Sequence, residues 1–131
     1  MAGLFSAEWM AKFMAEWNKE PELADALAKI DFNSTIAYGI DGEDKPRGIL
    51  VVTKGKATKG ATYGGEDMSW DLRASEENWN KWIAKGIGMG GLAKAYTFRQ
   101  LKFKVGDYGA MIKDPRMAGP FIKSFTVMGR V

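Results

Sequence analysis

The chain has 131 residues, 46% hydrophobic and 27% charged, which suits one globular domain burying roughly two thirds of its unfolded surface. It contains no Cys and no His, which excludes disulfides, thiol nucleophiles, thiolate or imidazole metal sites and every His-based triad. A net charge of +3, with acidic and basic residues alternating through the chain, falls short of the basic excess of a nucleic-acid binder.

Ser6 offers a cap for a first helix ending near Asn18. On it Trp9, Phe13 and Trp17 recur at i, i+4 and i+8, beside Met10 and Met14, and read as packing against a sheet. Glu8, Lys12 and Glu16 make a charge ladder on another face. Pro21 opens a second helix with Leu23, Leu27 and Ile30 inward.

The hydrophobic period then changes to two. Ile36, Tyr38 and Ile40 share one strand face, and the turn-rich DGEDKPRG leads to GILVV, apolar on both faces and so covered on both sides. After TKGKATKG, an extended segment from Ala57 to Tyr63 is weakly patterned. In MSWDLRA, Met68, Trp70 and Leu72 alternate with Ser69, Asp71 and Arg73, a half-buried strand whose Asp71 is expected to face water.

Ser75 caps a further helix with Glu76 and Glu77 at its positive end and Trp79, Trp82 and Ile83 on its apolar face. LAKAY is expected to make another helical turn. Leu101, Phe103 and Val105 alternate with Gln100, Lys102 and Lys104 in the last strand. Asp114–Pro115 starts a terminal helix that Pro120 is expected to break or restart, with Phe121 and Phe125 on one face. Consecutive strands flanked by helices give an α+β fold, helices against one largely antiparallel sheet.

Gly86, Gly88 and Gly91 in KGIGMGG have the G-x-G-x-x-G spacing of a dinucleotide loop. Such a loop must follow a strand and open a helix, so that the helix N-terminus meets the pyrophosphate. Here a capped helix comes first and Gly86 stands where a C-cap glycine belongs. What remains is a mobile glycine loop, either a permissive surface turn or the lip of an apolar pocket with Ile87 and Met89 turned inward.

From MSWDLRASEENWNKWIAKG through the glycine loop to YTFRQLKFKVGDYGAMIK, the sequence resembles the sterol carrier protein type two lipid-transfer family. LKFKVGDYGAM is its most specific piece, and the order of elements agrees over residues 1–131, read as a single domain. The resemblance implies a five-stranded sheet covered by helices and enclosing a hydrophobic tunnel, with no catalytic residue and no cofactor. The lining positions it implies are Trp79, Trp82, Ile83, Ile87, Met89, Leu92, Phe98, Phe103, Met111, Phe121 and Phe125. KDPRMAG departs from the family, which runs directly into its last helix, and the ending MGRV is not a peroxisomal targeting tripeptide.

The expected function is a non-enzymatic intracellular carrier. It binds a sterol or steroid, a fatty acid or a fatty acyl thioester and delivers it to a membrane or an acceptor enzyme. MAGLFSAEWM has neither the basic region nor the apolar core of a signal peptide, so the expected location is the cytoplasm. Lys54, Lys56 and Lys59 are either a solvated turn or a contact for anionic head groups. One alternative is a ketosteroid isomerase or polyketide cyclase type of enzyme pairing Asp71 or Asp107 with Tyr38, Tyr63 or Tyr108. Another is an accessory subunit of a lipid- or hydrocarbon-metabolising complex.

Overall fold

The computed structural model describes residues 3–131. Helix α1 (Ala7–Lys19) starts where Ser6 Oγ accepts from the Trp9 amide at 3.2 Å, and it buries Trp9, Met10, Phe13 and Trp17. Pro21–Asp25 then forms a π-helical turn that continues into the single turn α2 (Ala26–Ala28). The Glu20 carboxylate caps that turn by accepting from the Glu22 amide.

Strands β1 (Ser34–Ile40), β2 (Gly48–Thr53), β3 (Lys56–Thr62), β4 (Trp70–Ala74) and β5 (Lys102–Val105) form one sheet in the order β3-β2-β1-β4-β5. All neighbours are antiparallel except β1 and β4, which run parallel because the chain crosses from one side of β1 to the other between β3 and β4. Helix α1 lies along β3 on the inner face. There Ile36, Tyr38, Leu50 and Leu72 point into the core. β2 is buried on both faces, as its apolar sequence requires: Ile49 and Leu50 are both fully covered.

The outer face corrects one expectation. Asp71 and Arg73 alternate with cavity-side residues as read from the sequence, yet they do not face water; they are 3% and 1% exposed. Arg73 donates from Nε to Asp71 Oδ1 at 2.7 Å and from Nη2 to Oδ2 at 3.0 Å, while Nη1 donates to the Glu43 carbonyl at 2.7 Å. The β1–β2 connection therefore folds back over the sheet, held by one guanidinium. Arg73 lies flat on Gly39, where a Cβ would sit 2.9 Å from its Cδ and Nε, so only glycine leaves room for it.

Helix α3 (Glu76–Lys85) is capped by Ser75 and closed by Gly86 at φ 73°, a conformation glycine adopts without strain. The glycine run that follows is not only a loop. Gly88 is the N-cap of a nine-residue helix, α4 (Met89–Thr97), longer than the single turn expected of LAKAY. The dinucleotide reading still fails, because a helix and not a strand precedes the glycines. Helix α5 (Tyr108–Lys113) ends at Asp114, whose side chain accepts from the Arg116 amide and starts α6 (Pro115–Met128). The break expected at Pro120 is absent: α6 runs through it. Pro120 is buried against the core, and the Arg116 carbonyl that it deprives of a donor belongs to an exposed residue, where water can replace the lost bond.

Candidate functional site

Alternation along β1 and β4 places Ile36 beside Trp70 and Tyr38 beside Leu72, four side chains on the inner face of the sheet. They floor an apolar cavity of about 40 Å³. Trp17, Leu23, Leu27 and Phe32 wall its N-terminal side, and Met111 of α5 with Met117, Phe121 and Ser124 of α6 roof it. Two methionines in the roof give it an adaptable surface.

The polar content of this cavity is small. Ser124 directs its hydroxyl to the Phe121 carbonyl of its own helix. Tyr38 is fully enclosed, and burial pushes its phenol well above the ordinary tyrosine range, so it stays a neutral hydroxyl. No carboxylate, ammonium or guanidinium group lines the cavity. Among the described residues no cluster of acidic side chains is arranged to hold a metal ion.

Of the lining set implied by the family resemblance, Met111 and Phe121 reach the cavity. Trp79, Trp82 and Phe125 form a buried aromatic cluster beside the cavity, joined to it through Phe121, whose ring centroid lies 5.4 Å from that of Phe125, and through Tyr38, 6.1 Å from Trp79. The indole of Trp79 donates to the Gly39 carbonyl at 2.9 Å, which fixes it as a tether between α3 and β1. Leu92 is fully buried in the core, and Ile83 and Ile87 pack partly against it. Phe103 stands next to the cavity, 5.9 Å from Trp70 and 6.0 Å from Phe121 by ring centroids. Met89 and Phe98 point away from it, 50% and 65% exposed, so the inward turn expected of Met89 is not found.

Trp17, Leu23, Leu27, Ile36, Trp70 and Leu72, which the sequence placed on apolar faces without a site role, and Tyr38, which it offered only to the catalytic alternative, also border the void. Their apolar periodicity was visible. Which of them border a void and which border one another depends on how α5 and α6 sit over the sheet.

Of the pairings in the catalytic alternative, Asp71 with Tyr38 is not assembled. Asp71 and Tyr38 lie on opposite faces of the sheet, because Asp71 pairs with Ala37 while Tyr38 pairs with Leu72. Asp107 is an exposed cap that accepts from the Ala110 amide. Lys56 and Lys59 are matched by Asp25 at 3.3 Å and Glu66 at 3.6 Å.

An open mixed sheet with helices closing an apolar cavity on one face defines a class of fold, that of sterol carrier protein 2. A crystal structure of sterol carrier protein 2 superposes with a TM-score of 0.76 at 17% identity, covering 98% of this chain and 99% of that one. A solution structure of a conserved hypothetical protein of Thermus thermophilus, described as a candidate sterol carrier protein, gives 0.74 at 14% identity, covering 98% and 89%. A UbiJ-SCP2 ubiquinone synthesis protein gives 0.59 at 12% identity, covering 93% and 88%. No family model and no curated protein sequence matches the chain. No helix among the described residues is long and apolar enough to cross a membrane.

Proposed function

We propose that this chain is a non-enzymatic, single-domain carrier that binds a hydrophobic ligand between the inner face of its sheet and the α5–α6 roof. The observation that carries this reading is the cavity itself, bounded by aliphatic, aromatic and methionine side chains and free of ionised groups. Burial of apolar ligand surface there contributes about 25 cal/mol per Å², so affinity needs no polar anchor.

At about 40 Å³ the void holds a few water-sized spheres, whereas a lipid or steroid site needs roughly 300 Å³ or more. Ligand entry therefore requires the roof to lift. The methionines and phenylalanine of α5 and α6 are suited to this because their contacts are non-directional. The ligand class is a sterol or steroid, a fatty acid or a fatty acyl thioester, and delivery is to a membrane or an acceptor enzyme in the cytoplasm.

Delipidated protein titrated with fluorescent fatty acid and fluorescent sterol should saturate with at least one of them, and native mass spectrometry should find a co-purified lipid. Folded protein that binds neither and carries none would remove the carrier reading. The likeness to a ubiquinone synthesis protein supports a second reading, in which the chain presents a hydrophobic substrate to an enzyme complex. Pull-down from the native source, with enrichment of an enzyme acting on a hydrophobic substrate, tests that reading.

A further inference from the structure

Acidic and basic residues alternate through most of the chain, but not between Glu77 and Asp107. That stretch holds Lys81, Lys85, Lys94, Arg99, Lys102 and Lys104 and no Asp or Glu, six cations in a chain whose net charge is +3. Of these, Lys102 reaches Asp41 at 3.0 Å, while Lys94, Arg99 and Lys104 are exposed and form no ion pair with any described residue.

The large apolar side chains that remain exposed among the described residues fall in the same stretch. They are Met89 at one end of α4, Tyr96 and Phe98 at its other end, and Val105 on the edge strand β5. Tyr96, Arg99, Lys102 and Phe103 border one shallow surface hollow. Single exposed apolar residues need no explanation, but aromatic groups interleaved with unpaired cations have the composition of surfaces that sit at a membrane interface.

This edge also leads to the cavity. The ring of Tyr96, 42% exposed, stacks on Tyr108 at 3.8 Å and lies 5.8 Å from Phe103. Phe103 in turn packs beside Trp70 and Phe121, which belong to the floor and the roof of the void. A continuous file of aromatic rings thus runs from the charged edge to the ligand site.

We propose that the α4–β5 edge is the docking face for an anionic lipid bilayer, with Lys94, Arg99 and Lys104 meeting head groups, Tyr96 and Phe98 entering the interface, and the Tyr96–Phe103–Phe121 file forming the ligand's way out. The proposal rests on the carrier reading for the purpose of docking, but not for the docking itself. The lysines of the β2–β3 turn, two of them already neutralised by Asp25 and Glu66, are not the contact.

Sedimentation with phosphatidylcholine vesicles, with and without phosphatidylglycerol, tests it. The protein should bind the anionic vesicles only, and added salt should weaken the binding. The combined variant Lys94→Gln, Arg99→Gln, Lys104→Gln should lose roughly a hundredfold in vesicle affinity, since each cation near an anionic surface is worth several-fold. Phe98→Ser should weaken it further, and neither variant should lower the melting temperature, because these side chains are exposed. A control variant, Lys54→Gln, Lys56→Gln, Lys59→Gln, should bind vesicles as the parent does.

Failure of the parent to bind anionic vesicles overturns the proposal, even if an acidic protein were later found on this edge. So does equal loss in the control variant, or unchanged binding in the α4–β5 variant. Uptake of fluorescent lipid from solution, measured on the same samples without vesicles, reports the carrier reading separately and should be the same in all of them.

Discussion

On the sheet side of the cavity, Trp17 donates its indole N–H to the Gly55 carbonyl at 3.0 Å, and Asn18 exchanges two hydrogen bonds of 2.8 Å with the Ala57 backbone. On the roof side, Met111, Met117 and Phe121 hold α5 and α6 over the void through apolar contact alone. Among the described residues, the ion pairs that tie α6 to the N-terminal elements lie in its second half and just past its end, Lys123 to Glu22 at 2.9 Å and Arg130 to Glu20 at 3.0 Å. Directional, partly buried bonds fix α1, and with it this wall of the cavity, against the sheet at one spacing. Non-directional contacts let the roof take another spacing at small cost, which a void of about 40 Å³ requires if it is to admit a lipid.

That contrast can be broken first beneath the floor. Arg73→Met should leave the Asp71 carboxylate buried without its partner and release the β1–β2 connection from the sheet. The expected loss is about 3–5 kcal/mol in urea denaturation. If the loss were under about 1 kcal/mol, the guanidinium would not be what holds the outer face.

Next comes Asn18→Ala, which leaves both the N–H and the carbonyl of Ala57 without their partner and should cost about 2–3 kcal/mol. Ligand affinity should change little once the protein is folded. In the roof, Met117→Ala removes a half-buried side chain and should cost only about 1 kcal/mol. Its larger effect should be on uptake of fluorescent lipid, measured by stopped flow. Equal effects of the two variants on stability and on uptake would remove the distinction between wall and roof.

The smallest effect concerns pH. The Glu22 amide holds the Glu20 carboxyl below the usual carboxylate range against an opposing push from burial, with smaller help from Arg130 and Lys123. A depressed folded-state value means this stabilisation is fully present above the ordinary carboxylate range and is lost as pH falls through the folded value. Melting temperature recorded on the acid side should therefore fall less steeply in Glu20→Gln than in the parent, and lipid uptake by the parent should quicken there as the tie on α6 loosens.

Much of this fold was legible because it rests on short-range chemistry. Ser6, Ser75 and Gly86 mark helix ends through bonds and dihedrals confined to a few residues, and the alternation of Trp70 and Leu72 with Asp71 and Arg73 follows from the strand pleat. The same alternation could not say that a neighbouring connection would fold over the outer face and bury an ion pair there. Nor could the sequence show that a helix would grow from Gly88, a weak cap within a run of glycines.

Residue order alone thus determined the kind of elements, their sequence and the inner face of each strand, since these depend on periodicity and capping. Tertiary structure decided which apolar residues border a void. It set Trp17, Tyr38 and Trp70 around the cavity, placed Trp79 and Phe125 beside it and turned Met89 and Phe98 outward. The physical reason is that a void is the space left between elements distant in the chain, so its lining depends on how α5 and α6 rest on the sheet.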